Sequence, residues 1–217
     1  ELMTKFRDLA EKETGEIKDA LLNITAPVDE MKKRAKFLHD RGWKYAMIDV
    51  VTCGPSSVQT MREVLGDYNM AIHAHRAMHA AFDRNSHHGI TMHFLAKIMR
   101  MAGVDQIHAG TAVGKLVGGK HEVEDISMVL RSVHSMRNEK IEEQKHHLMP
   151  QDWHGMKSAF PVTSGGLHPG LVPNVLDIYG KDCVLLVSGG IHGHPRGTRA
   201  GAKASMQAIE AWQKKIP

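Results

Sequence analysis

Ile107-His108-Ala109-Gly110-Thr111-Ala112-Val113-Gly114-Lys115-Leu116 is the stretch that decides the fold. Its apolar lead-in, Gly103-Val104-Asp105-Gln106-Ile107, predicts a strand ending on a histidine, and a loop with two glycines then carries one lysine outward. A (β/α) barrel builds chemistry this way: residues at the carboxyl end of a parallel strand face the pocket, and the loop that follows can move. A lysine there is a point charge able to close over an anionic intermediate. The plainer alternative is a solvated loop lysine beside a histidine with no role.

Working outward, the same strand-then-helix unit recurs. Tyr45-Ala46-Met47-Ile48-Asp49-Val50-Val51 is a near-continuous apolar run, the pattern of a strand buried on both faces of a parallel sheet. Asn69 to His75 predicts the next strand, and it turns at once into Arg76-Ala77-Met78-His79. Upstream, a short strand is expected within 16–25, followed by a helix with Pro27 at its first position, Met31, Ala35 and Leu38 on one face, and Gly42 at its close. Downstream, helices are expected over 91–101, 123–136 and about 198–214, with strands over 158–163 and 182–187 and a polar connection over 137–151. This alternation implies an α/β fold with a parallel sheet and right-handed crossovers. The units number six and are preceded by a helix with no strand before it, so they read as units three to eight of a TIM (β/α)8 barrel. A six-stranded doubly wound sheet is the alternative. The chain opens on Glu1, inside an amphipathic helix with no capping residue, so residues 1–217 are expected to be the C-terminal barrel domain of something longer, truncated at its N-terminus.

Composition narrows the function. With 217 residues, 42% of them apolar, the chain can bury a sizeable core. No run of about 18 apolar residues occurs, and no charged-then-apolar leader, so a soluble, untargeted chain without a membrane partner is expected. Cys53 and Cys183 are too few and too far apart for a disulfide scaffold, which suits a reducing cytoplasm. The net charge of +4 is spread among 24 acids, with no basic run or aromatic platform, so nucleic acid is not an expected partner. A site for small anionic substrates accounts for the excess equally well.

Chargeable groups gather at predicted strand ends. His73 and His75 alternate onto one side of their strand, with Arg76 and His79 close behind. Arg76 can fork onto a phosphate, His108 can add a charge-assisted hydrogen bond, and His75 can serve as general base. Ser164-Gly165-Gly166 and Ser188-Gly189-Gly190 follow the last two strands, where barrels often bind phosphate through bare backbone N–H groups. Taken singly, each pair of glycines is equally a plain turn. A zinc site built from His73, His75 and His79 is the competing reading, ranked second because Arg76 in their midst would repel a cation.

Glu13-Thr14-Gly15-Glu16-Ile17-Lys18, His73-Ala74-His75-Arg76-Ala77-Met78-His79, His108 through Lys115, Ser164-Gly165-Gly166 and Gly193-His194-Pro195, in this order along essentially the whole chain, resemble the large subunit of ribulose-1,5-bisphosphate carboxylase/oxygenase, RuBisCO. The details look closest to the archaeal form III or II/III branch. The resemblance implies carboxylation and oxygenation of ribulose 1,5-bisphosphate, with CO2 and O2 as co-substrates, in a homo-oligomer built on large-subunit dimers. His75 is then the catalytic proton acceptor and Lys115 the mobile-loop lysine that stabilises the carboxylation transition state. Arg76 and His108 would hold one phosphate. Ser164 with Gly165 and Gly166 would contact the substrate, and the backbone at Ser188 and Gly189 would hold the second phosphate. Ser188 departs from the family's usual three glycines. The family also uses Mg2+, held by a carbamylated lysine followed by Asp and Glu. That Lys-x-Asp-Glu segment is absent from these 217 residues, so no metal ligand is assigned here. The alternatives are a RuBisCO-like enolase or isomerase acting on another phosphorylated sugar, against which Lys115 argues, and a non-catalytic homologue.

Overall fold

The computed structural model describes residues 1–85, 87–113, 119–132, 134–135 and 151–215. It divides into two compact units, one of residues 1–89 and 98–106, the other of 90–97 and 107–217.

The first unit opens with α1 (Leu2–Thr14), which Gly15 stops by taking a left-handed conformation, φ 69°, and donating its N–H to Glu11 O at 2.8 Å. Three parallel strands follow, β1 (Leu22–Asn23), β2 (Tyr45–Asp49) and β3 (Ala71–His75), hydrogen-bonded in chain order. The entry to a fourth, β4 (Gln106–His108), joins β3 where Asp105 N–H donates to Ile72 O at 3.1 Å. The helices between them bury the faces their periodicity predicts: Met31, Ala35 and Leu38 on α2 (Val28–His39), and Val58, Met61 and Leu65 on α4 (Pro55–Asp67). Between β2 and α4 lies the single turn α3 (Val50–Cys53), and after β3 the short α5 (Ala80–Asp83). Pro27 stands one position ahead of α2 rather than at its first turn; its ψ of 144° is extended, and its carbonyl accepts from Glu30 and Met31 N–H. Arg62 on α4 ties the unit together, donating to Asp105 Oδ2 at 2.7 Å and to Met70 O at 2.9 Å, while the same Asp105 oxygen accepts Ile72 N–H at 2.7 Å.

In the second unit the end of β4 joins β7 (Phe160–Ser164), with Ala109 N–H donating to Val162 O at 2.9 Å, and β7 pairs in parallel with β8 (Val184–Leu186). Here α7 (Lys120–Arg131), α8 (Val172–Tyr179) and α10 (Thr198–Gln213) supply apolar faces, and a single turn, α9 (Gly189–His192), follows β8. The helix expected over 123–136 stops at Arg131, because Ser132 turns extended (ψ 142°) and its hydroxyl caps Met128 O. A two-residue antiparallel pair, β5 (His134–Ser135) with β6 (Gln151–Asp152), occupies part of the expected polar connection. The strand expected over 182–187 shortens to three residues, none fully buried, since β8 is last in the strand order and has a neighbour on one side only. Helix α6 (Met92–Met101) spans the boundary between the units. The strands of the described chain thus form a parallel α/β arrangement, apart from the small antiparallel pair.

Candidate active-site residues

In the first unit the register of β2 with β3 sets Asp49 beside His75, both the last residues of their strands. His75 Nδ1 lies 3.1 Å from Asp49 Oδ1, and the His75 side chain is 40% exposed, as a group that meets a substrate must be. Asp49 is itself held. Asn23, at the end of β1, donates its amide to Asp49 Oδ1 and Oδ2, both at 3.3 Å, and Asp49 N–H donates to Thr25 Oγ1 at 2.8 Å. Arg76 follows directly, half-buried.

His73, two residues back on the same strand, is fully buried, with Nδ1 2.9 Å from Gln106 Oε1. Burial pushes its pKa below the usual histidine value, and the Gln106 hydrogen bond offsets part of that. His79 pairs with Asp83 Oδ2 at 2.5 Å. The three histidines weighed as a zinc site therefore direct Nδ1 to three different partners, Gln106, Asp49 and Asp83. Among the described residues no group of three His, Cys, Asp or Glu side chains is placed to hold a metal. Mg2+ requires a near-octahedral set of oxygens. The one carboxylate at these strand ends, Asp49, is engaged by Asn23 and His75, so the described residues do not fit that ion and no step below passes through it.

In the second unit His108 closes β4, and its Nδ1 lies 2.6 Å from Ser164 Oγ at the end of β7. His108 is 5% exposed, whereas Ser164 is half-buried at the surface of that end. Gly165 and Gly166 then take φ values of 113° and 68°, which a side chain would strain. Thr111 reaches Gly165 O at 3.4 Å, and the buried Tyr179 hydroxyl donates to Gly110 O at 2.8 Å, tying the root of the loop after β4 to α8. Ser188 and Gly189 are exposed ahead of α9. Gly190 packs so tightly that a Cβ there would stand 2.3 Å from Leu167 O. Lys115 lies outside the described residues.

Each expected side chain within the described residues thus sits at or just beyond the carboxyl end of a parallel strand. Asn23, Asp49 and Tyr179 were not singled out from the sequence. A signal for Asp49 was present: it is the only charged residue in the apolar run Tyr45–Val51 and stands at its polar end.

Parallel α/β domains that gather polar groups at strand ends form a class that binds its ligands there. Comparison with known families names the member. The family described as ribulose bisphosphate carboxylase large chain, catalytic domain, matches residues 1–216, and the chain belongs to it. The ribulose bisphosphate carboxylase of Pyrococcus abyssi is 51% identical over 207 residues, which cover 95% of this chain and 44% of that protein. The enzyme of that name from Methanocaldococcus jannaschii is 51% identical over 208 residues, 95% of this chain and 47% of its own. The chain spans about half the length of the curated relatives it matches. Among solved structures, octameric Rubisco from Pyrococcus horikoshii OT3 in complex with sulfate superposes with a TM-score of 0.86 at 49% identity, covering 99% of this chain and 46% of that one. Dimeric archaeal Rubisco from Hyperthermus butylicus gives 0.88 at 44% identity, covering 99% and 48%. No described helix is long and apolar enough to cross a membrane.

Proposed function

We propose that residues 1–217 supply units three to eight of a (β/α)8 barrel in a cytoplasmic large chain that carboxylates and oxygenates ribulose 1,5-bisphosphate. The observation that carries this reading is the pair His108 and Ser164, joined at 2.6 Å across the carboxyl ends of two strands in a member of this family. In this reading His75 accepts the proton lost when the sugar enolises, and the electron pair moves to the neighbouring carbonyl oxygen. Arg76 and His108 hold one phosphate. Ser164, Gly165 and Gly166 contact the sugar, the two glycines offering backbone N–H groups with no side chain in the way. The amides at Ser188 and Gly189 take the second phosphate, with the Ser188 hydroxyl in place of the family's usual glycine. CO2 then adds to the enediolate, and the ammonium of Lys115 balances the carboxylate that forms. Hydration and cleavage of the six-carbon adduct give two molecules of 3-phosphoglycerate. The Mg2+ of the family would be held by residues outside this sequence, and the working enzyme is a homo-oligomer built on large-chain dimers.

The test is fixation of labelled CO2 into acid-stable product by the whole large chain carrying this sequence, beside its Lys115→Ala variant. The variant should lose carboxylation and still exchange the substrate's enolisable hydrogen with solvent. Enolisation without carboxylation in the unaltered enzyme would instead favour an enolase or isomerase, and equal loss of both steps in the variant would remove the assigned role of Lys115.

A further inference from the structure

We infer that Asp49, held by Asn23, is a positioning residue that fixes the tautomer of His75 and thereby leaves its Nε2 free to take the substrate's proton. The inference rests on the proposed role of His75 as proton acceptor and adds what makes that role possible.

Two groups compete for the same ring nitrogen. Asp49 Oδ1 lies 3.1 Å from His75 Nδ1, and the Ala77 backbone N–H points at that nitrogen from 3.2 Å. A neutral imidazole has one protonated and one bare nitrogen, so the two contacts cannot both be hydrogen bonds. If Nδ1 were bare it would accept from Ala77, but its lone pair would face a carboxylate oxygen and Nε2 would carry the hydrogen. Such a ring has nothing with which to accept a proton at Nε2. If Nδ1 carries the hydrogen, it donates to the carboxylate in a charge-assisted bond, roughly twice as strong as a neutral one. Nε2 is then bare. The carboxylate therefore selects the tautomer that works as a base, and the Ala77 contact becomes secondary.

The carboxylate is also immobilised. Asn23 donates to both of its oxygens, Thr25 Oγ1 accepts from its backbone N–H, and the strand register sets Asp49 beside His75. When Nε2 takes a proton from the sugar carbon, the C–H bond breaks, its electron pair passes to the adjacent carbonyl oxygen, and the ring becomes an imidazolium whose charge Asp49 faces. An orienting carboxylate of this kind acts on the reacting histidine alone, so its loss lowers turnover with little change in substrate affinity.

The experiment uses the whole large chain, unaltered and as Asp49→Asn, His75→Ala and the double variant, with enolisation followed by hydrogen exchange of the substrate with solvent. Asp49→Asn should lower the exchange rate on the order of 10²-fold, with KM within about threefold of the original. In the His75→Ala background the same change should cost nothing further, because Asp49 acts only through the ring. An additive loss in the double variant, or a normal rate in Asp49→Asn where His75→Ala is dead, overturns the inference and leaves the role of His75 standing. A normal rate in His75→Ala overturns the role itself. Should Asp49→Asn fail to fold, neutron diffraction from the unaltered enzyme decides: hydrogen on Nδ1 of His75 supports the inference, and hydrogen on Nε2 with Nδ1 bare overturns it.

Discussion

Tyr179→Phe isolates one hydrogen bond at the root of the loop that carries Lys115. Tyr179 is 1% exposed, and its hydroxyl donates to Gly110 O at 2.8 Å. Gly110 is buried and sits at φ 105°, a conformation that only glycine adopts without strain, so its carbonyl cannot easily turn to another donor. Deleting the hydroxyl creates almost no cavity but leaves a buried acceptor unsatisfied, at a cost of about 1–3 kcal/mol. The Arg131 guanidinium donates to the Tyr179 backbone carbonyl, which the change does not touch, so α8 should stay in place. The cost should therefore appear as easier local opening of residues 109–113. At a factor of ten per ~1.4 kcal/mol, amide hydrogen exchange there should accelerate about 5- to 150-fold. Mass-spectrometric exchange on the whole large chain resolves this segment from α8. A change below about twofold across 109–113 would show that the hydroxyl does not pin the loop. Equal acceleration in α8 would show general destabilisation instead, and either result refutes the reasoning.

Two further outcomes follow from packing and burial. Gly190→Ala should cost at least about 1–3 kcal/mol and lower soluble yield, because its Cβ would stand 2.3 Å from Leu167 O and 2.5 Å from His168 Cα. Gly189→Ala meets nothing within 4 Å, so its urea midpoint should hold while bisphosphate binding weakens; if the two variants lose stability equally, the tight contact assigned to Gly190 is wrong. For His73, burial lowers the folded-state pKa below the unfolded value near 6.5. Its contribution to stability is therefore whole above that value and drains away as pH falls through the folded one. The urea midpoint should drop between about pH 7 and 5 more steeply in the unaltered protein than in His73→Gln, and parallel slopes would exclude His73 as a source of the acid sensitivity.

How much was legible in advance depended on the range of the interaction. Apolar runs and helical periodicity are local, and they located all six parallel strands and the buried faces of α2 and α4. Ends were less legible, since a single side chain decides them: Ser132 folds back onto Met128 O and stops α7 five residues early, and β8 is trimmed where it lacks a second neighbour. Pairings were not legible at all. Asp49 and His75 are 26 residues apart in sequence, His108 and Ser164 are 56 apart, and Tyr179 and Gly110 are 69 apart. Alternation tells that His73 and His75 share a side of β3, but not that one turns to Gln106 and is sealed while the other meets Asp49 at the open end.

That last distinction shows why strand ends are where such chemistry collects. In a parallel pair the register sets the last residue of one strand beside the last residue of the next, as Asp49 stands beside His75. One residue position inward from that pair the strands are closed by Ile48 and Ala74, both fully buried, and a polar group at such depth must spend itself on a fixed partner, as His73 does on Gln106. Beyond the strand end the chain turns and the backbone leaves the ladder, so a side chain there has neither a sealed environment nor a ready partner. Only the terminal residue combines a neighbour rigid enough to orient it with a free edge exposed to solvent. His75 satisfies both conditions, with Asp49 on one nitrogen and a side chain 40% exposed, and His73, two residues earlier on the same face, satisfies only the first. The difference between a histidine that can exchange protons with a ligand and one that holds a sheet together is thus one repeat of the pleat, about 6–7 Å along the strand.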